Sequence, residues 1–203
     1  VEVFCLDADK RGCGHRSAAC HGRKESNFPG IAADPLKRQN FANACVNLIA
    51  TYGFDGIDLD WEYPGFAAHN GTPQDKTNFN LLLEEVRLAI DSYGNSIGQD
   101  MILTAAVGAT EVRMTEVDWS VVSNYLDIIN VMSYDFFGSW DPVANHNSPL
   151  FAPQQGDPEF NLAWAVERLT NHYGVNPQKI TAGVAFYGRS AKTNSTPSLF
   201  API

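Results

Sequence analysis

The stretch from Phe54 to Pro64 alternates acidic and apolar side chains: Asp58, Asp60 and Glu62 are interleaved with Ile57, Leu59 and Trp61. Alternation at period two marks a β-strand, because successive side chains of an extended chain point to opposite faces. The three acids therefore share one face, with neighbouring Cα atoms about 6.5 Å apart at the rise of a strand. Ile57, Leu59 and Trp61 take the other face and can pack. Like charges held that close raise the proton affinity of at least one carboxyl. A carboxyl that keeps its proton near neutral pH is what a general acid requires.

Two blander readings compete with this one. A solvated strand face would mix in Lys, Thr and Ser, whereas this row is flanked by apolar residues and a Tyr63-Pro64 stop. A hard-metal site would need further oxygen ligands at calcium-loop spacing, and none follows. Acid catalysis is the reading that the spacing favours.

The rest of the chain supplies a scaffold. Asp34-Pro35 has the form of a helix start, with Asp as N-cap and Pro in the first turn. Phe41, Ala44, Cys45, Leu48, Ile49 and Tyr52 then recur at helical spacing, and Gly53 ends the segment. A second helix is predicted over Asp75–Tyr93, with Phe79, Leu82, Leu83, Val86 and Ile90 on one face and Gly94 as its stop. Met101–Val107 is a continuous apolar run, a buried strand. Leu126–Asp135 is a further strand with a polar end, preceded by a helical turn over Val117–Tyr125. Asn161–Tyr173 reads as a helix and Lys179–Phe186 as a strand. Val1–Leu6 is a candidate fifth strand. Strands that alternate with helices and read as apolar runs imply βαβ units and a parallel sheet.

Composition sets outer bounds. A chain of 203 residues with 44% hydrophobic and 18% charged residues can form one globular domain. A formal net charge of −9 argues against nucleic acid or an anionic membrane as partner. No apolar run is long enough to span a bilayer. The chain begins at Val1 with no initiator Met and no signal peptide, and is read as a fragment or a processed product.

Residues 1–26 are atypical. Cys13, His15, Cys20 and His21 do not have zinc-site spacing, so no metal is assigned. A single disulfide among Cys5, Cys13 and Cys20 remains open, and Cys45 is read as a small buried hydrophobe.

Asp55-Gly56-Ile57-Asp58-Leu59-Asp60-Trp61-Glu62 resembles the Asp-Gly-x-Asp-x-Asp-x-Glu signature of the family 18 glycoside hydrolases, the chitinases. Met132-Ser133-Tyr134-Asp135 resembles their Met-x-Tyr-Asp motif, and Tyr187-Gly188-Arg189 their strand-seven Tyr-Gly-Arg. Phe137-Gly138-Ser139-Trp140, followed by Asn147-Ser148-Pro149-Leu150, resembles the loop that brings a sugar-stacking Trp over the cleft. Each motif after the first is weak singly; in this order after the acidic row they form a specific set. The resemblance runs from about Asn27 to about Arg189. It implies an α/β fold, the (β/α)8 TIM barrel, whose catalytic residues sit where strands end.

The implied chemistry is hydrolysis of β-1,4-linked N-acetylglucosamine polymers with retention of configuration, assisted by the substrate. Glu62 is the implied acid. Asp60 holds the acetamido N–H and stabilises the cation, Asp58 shares a proton with Asp60, and Tyr134 orients the acetamido carbonyl. Asp135, Met132, Tyr187, Arg189 and Tyr63 are implied to hold sugar, with Trp140 stacking on a neighbouring ring. No metal or organic cofactor is implied. The partners are chitin or chitooligosaccharides, met by a secreted monomer.

Departures from the family bound the expectation. A barrel needs eight strands, and only four or five are legible here. The domain reading is therefore an atypical segment over 1–26, a partial catalytic barrel over 27–190 and a loose tail over 191–203, lacking the first and last barrel strands. Two other readings stay open: a non-catalytic chitin- or glycan-binding relative, and an endo-N-acetylglucosaminidase acting on N-glycans.

Overall fold

The computed structural model describes residues 2–6, 17–21, 27–194 and 196–203, the first two segments as backbone alone. Its centre is one six-stranded sheet: β1 (Glu2–Leu6), β2 (Ser17–His21), β3 (Gly56–Asp60), β4 (Ile102–Gly108), β5 (Ile128–Met132) and β6 (Ile180–Ala182), neighbours in chain order. β1 is antiparallel to β2, and β2 to β6 run parallel. Among the described residues the helices are α1 (Phe28–Ala32), α2 (Pro35–Tyr52), α3 (Asp75–Ile97), α4 (Glu111–Met114), α5 (Trp119–Tyr125) and α6 (Leu162–Glu167). Sequential parallel strands joined through helices are the pattern of a (β/α)8 barrel, of which this sheet is a part.

Strand alternation divides the sheet into two unlike faces. Ile57, Leu59, Leu103, Ala105, Val107, Ile129 and Val131 point outward and are buried. α2 and α3 pack side by side, and α3 also meets α1 and α5. α3 supplies Phe79, Leu82, Leu83, Val86 and Ile90 to this core, the five residues that its sequence periodicity assigns to one face. The inward face is polar and partly open: Asp58, Asp60, Asn130 and Met132 are half-buried, and Thr104 is buried among them.

The helix ends follow local chemistry. The Asp34 carboxylate accepts the Leu36 and Lys37 N–H groups at 2.9 and 3.2 Å, and Gly53 closes α2 with φ of 69°. α2 buries Phe41, Ala42, Cys45 and Ile49, whereas Tyr52 is 62% exposed and lies against Phe54 at the surface. α3 continues past Gly94, its expected stop, to Ile97, and Gly98 closes it with φ of 69°. Gly94 serves close approach instead: a Cβ there would lie 2.4 Å from the Gln99 carbonyl oxygen and 2.9 Å from Met101 Cγ.

Three further expectations are corrected. The sequence gives no strand signal before residue 27 apart from 1–6, yet Ser17–His21 pairs in parallel with Gly56–Asp60. Ser, Ala, Cys and His carry little strand propensity, so the neighbouring edge of β3 decides. The segment 161–173 is not one α-helix: α6 passes into a π-helical turn over Arg168–His172. The last strand ends at Ala182, well before Phe186, and Val184 and Phe186 are 68% and 97% exposed. The cysteine and histidine pattern of residues 5–21 lies outside the described side chains; Cys45 is buried in the core. Near the other end, Ala144 N–H donates to the Ala201 carbonyl at 2.9 Å and Phe200 N–H to the Ala144 carbonyl at 2.7 Å. No helix among the described residues is long and apolar enough to cross a membrane.

Gly94→Ala tests the close-approach reading. At an unconstrained helix position the change gains about 1 kcal/mol. Here the added methyl overpacks backbone, and the variant is expected to lose about 1–3 kcal/mol, read as a lower urea midpoint.

Candidate active site

Trp61 fixes the end of β3. Its ring stacks on Phe28 at 5.6 Å and 13°, and meets Phe79 edge-on at 5.7 Å and 90°. The indole is 3% exposed, so the strand is anchored outward at the residue before Glu62. Beyond it the backbone leaves the sheet, with a cis peptide between Glu62 and Tyr63.

The loop that follows is stapled by two side chains. His69 Nδ1 bonds the Glu62 carbonyl oxygen at 2.7 Å, and so donates to it. The Asp75 carboxylate, 1% exposed, accepts the Gly65 and Thr72 N–H groups at 3.1 and 3.0 Å and the Thr72 hydroxyl at 3.2 Å. A buried carboxylate is tolerable because donors saturate it. The Arg113 guanidinium lies over the Phe66 and Tyr63 rings at 4.1 and 4.7 Å. Gly108 makes room for this contact, since a Cβ there would meet Arg113 Cβ at 2.6 Å and Tyr63 Cε1 at 3.2 Å.

Inside the sheet, Asp58 Oδ1 accepts two donors. One is the Thr104 hydroxyl, and the other is Asn130 Nδ2 at 2.9 Å. The phenols of Tyr63 and Tyr134 flank the acid row. Burial pushes the Tyr63 hydroxyl far above its ordinary value, and the Glu62 charge and a hydrogen bond to Glu62 add to the rise. Tyr134 is also raised, first by burial and then by the charge of Asp60, with Tyr187, Glu62 and Asp135 adding to it. Gly183 lets the Tyr134 ring approach: a Cβ would stand 2.8 Å from Tyr134 Cε1 and 2.6 Å from the Val131 carbonyl.

A second cluster forms at the ends of β5 and β6. Asp135 has φ of 59°, the left-handed region, and Asn147 Oδ1 accepts its N–H at 3.1 Å. Asp135 Oδ1 accepts the Tyr187 hydroxyl at 2.6 Å and Arg189 Nε at 2.7 Å. Arg189 in turn lies over the Trp140 ring at 4.5 Å. Trp140 is 58% exposed, which removes it from the core and leaves a ring face available. The Tyr134 and Tyr187 rings meet edge-to-face at 6.1 Å.

A cavity of about 470 Å³ joins the two clusters, with Tyr63, Arg113, Met132, Tyr134, Asp135 and Trp140 in its wall. Asp58, Asp60, Glu62, Tyr187 and Arg189 are not part of that wall. Tyr63 and Tyr134 bridge from it to the acids, and Asp135 and Trp140 bridge to Tyr187 and Arg189. No group of three or more His, Cys, Asp or Glu side chains among the described residues is arranged to hold a metal ion.

A parallel sheet of barrel type, with acids and aromatic residues gathered where its strands end, defines the (β/α)8 class. The chain belongs to family 18 of the glycosyl hydrolases, which matches residues 20–199. It is 36% identical over 173 residues to "Chitinase A1" of Niallia circulans, covering 81% of this chain and 25% of that protein. It is 37% identical over 169 residues to "Probable chitinase 2" of Drosophila melanogaster, covering 83% and 33%. The solved chitinase ChiA74 from Bacillus thuringiensis superposes with a TM-score of 0.85 at 36% identity, over 92% of this chain and 31% of that one. The chain thus spans a quarter to a third of the length of these relatives and covers part of the catalytic domain.

Sequence reading did not single out Thr104, Asn130, His69 or Arg113. For the first two a signal exists: each is a polar residue inside an otherwise apolar strand. His69 and Arg113 lie in non-periodic or short segments and carry no such mark.

The raised phenols give a pH test. A folded-state pKa above the unfolded value of 10.0 stabilises the fold below about pH 10, and that contribution is lost as pH rises further. Urea midpoints are expected to fall as the pH rises above about 10. Tyr63→Phe should flatten the decline by about 1 kcal/mol per pH unit.

Proposed function

We propose that this chain carries the acid-bearing part of a chitinase that hydrolyses β-1,4-linked N-acetylglucosamine polymers. The observation that supports this most directly is the acid row at the end of β3. Glu62 stands beyond Asp58 and Asp60, and Tyr134, just past the end of β5, lies close enough to feel the charges of Asp60 and Glu62. The names of the relatives point to the same substrate.

Glu62 donates its proton to the glycosidic oxygen as the bond to the leaving sugar breaks. The carbonyl oxygen of the substrate's own acetamido group closes on the anomeric carbon, in place of an enzyme nucleophile. Asp60 accepts the acetamido N–H and stabilises the oxazolinium cation, with Asp58 sharing a proton with Asp60. The Tyr134 hydroxyl donates to the acetamido carbonyl; a phenol holds its proton at neutral pH, and burial and the charge of Asp60 raise its pKa further. Water then opens the oxazolinium ring and returns a proton to Glu62, so configuration is retained. Asp135, Tyr187 and Arg189 hold sugar hydroxyls, and Met132 and Tyr63 line the cleft. Trp140 offers its exposed face to a neighbouring ring. The protein works without metal or organic cofactor, as a secreted monomer on chitin or its oligosaccharides.

Glu62→Gln removes the proton donor and keeps the shape. Turnover of a fluorogenic N-acetylchitooligosaccharide is expected to fall by about 10²–10⁴-fold, while the Kd for chitotetraose changes little. Hydrolysis at the wild-type rate in this variant would remove Glu62 from the role of acid.

A further inference from the structure

The inner face of the sheet carries a hydrogen-bond relay that the proposed mechanism does not use. Thr181 Oγ1 donates to Asn130 Oδ1 at 2.6 Å, Asn130 Nδ2 donates to Asp58 Oδ1 at 2.9 Å, and the Thr104 hydroxyl donates to the same oxygen. The relay crosses β6, β5, β4 and β3. Register pairs Asn130 with Thr181, and Asp58 with Thr104. On β4, Asn130 is opposite Ala106, whose side chain is small enough to let the amide reach back toward Asp58.

Two features make this more than ordinary polar satisfaction. First, the Asn130 amide has one productive orientation. Its oxygen is taken by the Thr181 hydroxyl, so its N–H₂ must face the carboxylate. Second, both donors converge on Oδ1. An oxygen that accepts two hydrogen bonds is the poorer site for a proton, because both donors favour its charged form. A proton carried by Asp58 is therefore steered to Oδ2.

We propose that Asn130, oriented by Thr181 and assisted by Thr104, is a positioning residue that fixes the Asp58 carboxylate and directs the proton shared with Asp60 onto Oδ2. This rests on the reading of Asp58 and Asp60 as a proton-sharing pair. The relay acts through Asp58 and does not touch sugar, so its loss should appear in the rate and not in substrate affinity.

The test compares Asn130→Leu, Thr181→Val and Thr181→Ser with the wild type on a fluorogenic N-acetylchitooligosaccharide. Asn130→Leu keeps volume and removes the donor; kcat is expected to drop by about 10–100-fold with KM held within about twofold. Thr181→Val should lower kcat by about threefold to tenfold, and Thr181→Ser, which restores the hydroxyl, should recover it. A folded Asn130→Leu enzyme with unchanged kcat, or with its loss confined to KM, overturns the proposal. So does equal damage from Val and Ser at position 181. A wild-type chain that fails to hydrolyse the substrate defeats the chitinase reading and the catalytic role of the relay with it. The geometry is then judged separately, by nitrogen-15 NMR of the Asn130 side-chain amide. Its proton shifts should move in Asp58→Asn and in Thr181→Val, and an amide that responds to neither overturns the relay itself.

Discussion

Trp61, stacked on Phe28 and edge-on to Phe79, decides where β3 stops and which way its acids face. A one-residue slip of that strand would exchange its faces. Ile57, Leu59 and Trp61 would turn into the polar interior, and Asp58, Asp60 and Glu62 would enter an apolar layer built from α2, α3 and their neighbours. Burying carboxylates without partners costs several kcal/mol each, and the aromatic sandwich would be lost as well. Register is therefore specified from both sides of the strand. The placement of the acids along the strand is a consequence of the packing of the residues between them.

From that anchor the site is held by backbone contacts more than by charge pairs. Asp75 ties Gly65 to Thr72, and His69 ties its own turn to the Glu62 carbonyl. Arg113 spreads over Tyr63 and Phe66, in space that Gly108 leaves free. At the neighbouring strand ends Asp135 occupies a left-handed backbone conformation that costs a non-glycine residue of order 1 kcal/mol. Asn147 supports that conformation through the Asp135 N–H, and the carboxylate so presented gathers Tyr187 and Arg189. Arg189 is then in place to back the exposed ring of Trp140.

The parts legible in the sequence are those with a period or a cap. The face of α3, the Asp34 N-cap and the alternation of β3 follow from local rules, and the structure carries them; α2 keeps Phe41, Cys45 and Ile49 inside but buries Ala42 in place of Ala44 and leaves Tyr52 exposed. What local rules miss is set by neighbours. Gly94 has the look of a helix stop, but the helix passes through it because Gln99 needs the space of a missing Cβ. Ser17–His21 has no strand signal, yet it lies along β3. Lys179–Phe186 has the apolar content of a long strand, but pairing with β5 ends at Ala182 and the residues beyond turn outward. At the site, the order of the motifs is specific enough to mark the family. Thr104 and Asn130 lie outside those motifs, and their meaning lies in reaching Asp58 across strands far apart in sequence.

The two faces of the sheet divide the work of the chain. The outward face supplies apolar burial, and a substitution there acts on stability through cavity and transfer energy. The inward face is polar, half-open and linked by hydrogen bonds, each of which adds little net stability because water competes for the same groups. Its value lies in direction: a bond between two fixed strands sets the orientation of a carboxylate more firmly than any single rotamer preference. Alternation along each strand couples the two roles, so that every inward acid or amide is positioned by the outward residue beside it. Asp58 is held by Ile57 and Leu59, Asn130 by Ile129 and Val131, and Glu62 by Trp61. The chemistry proposed for this chain thus depends on a core it never touches.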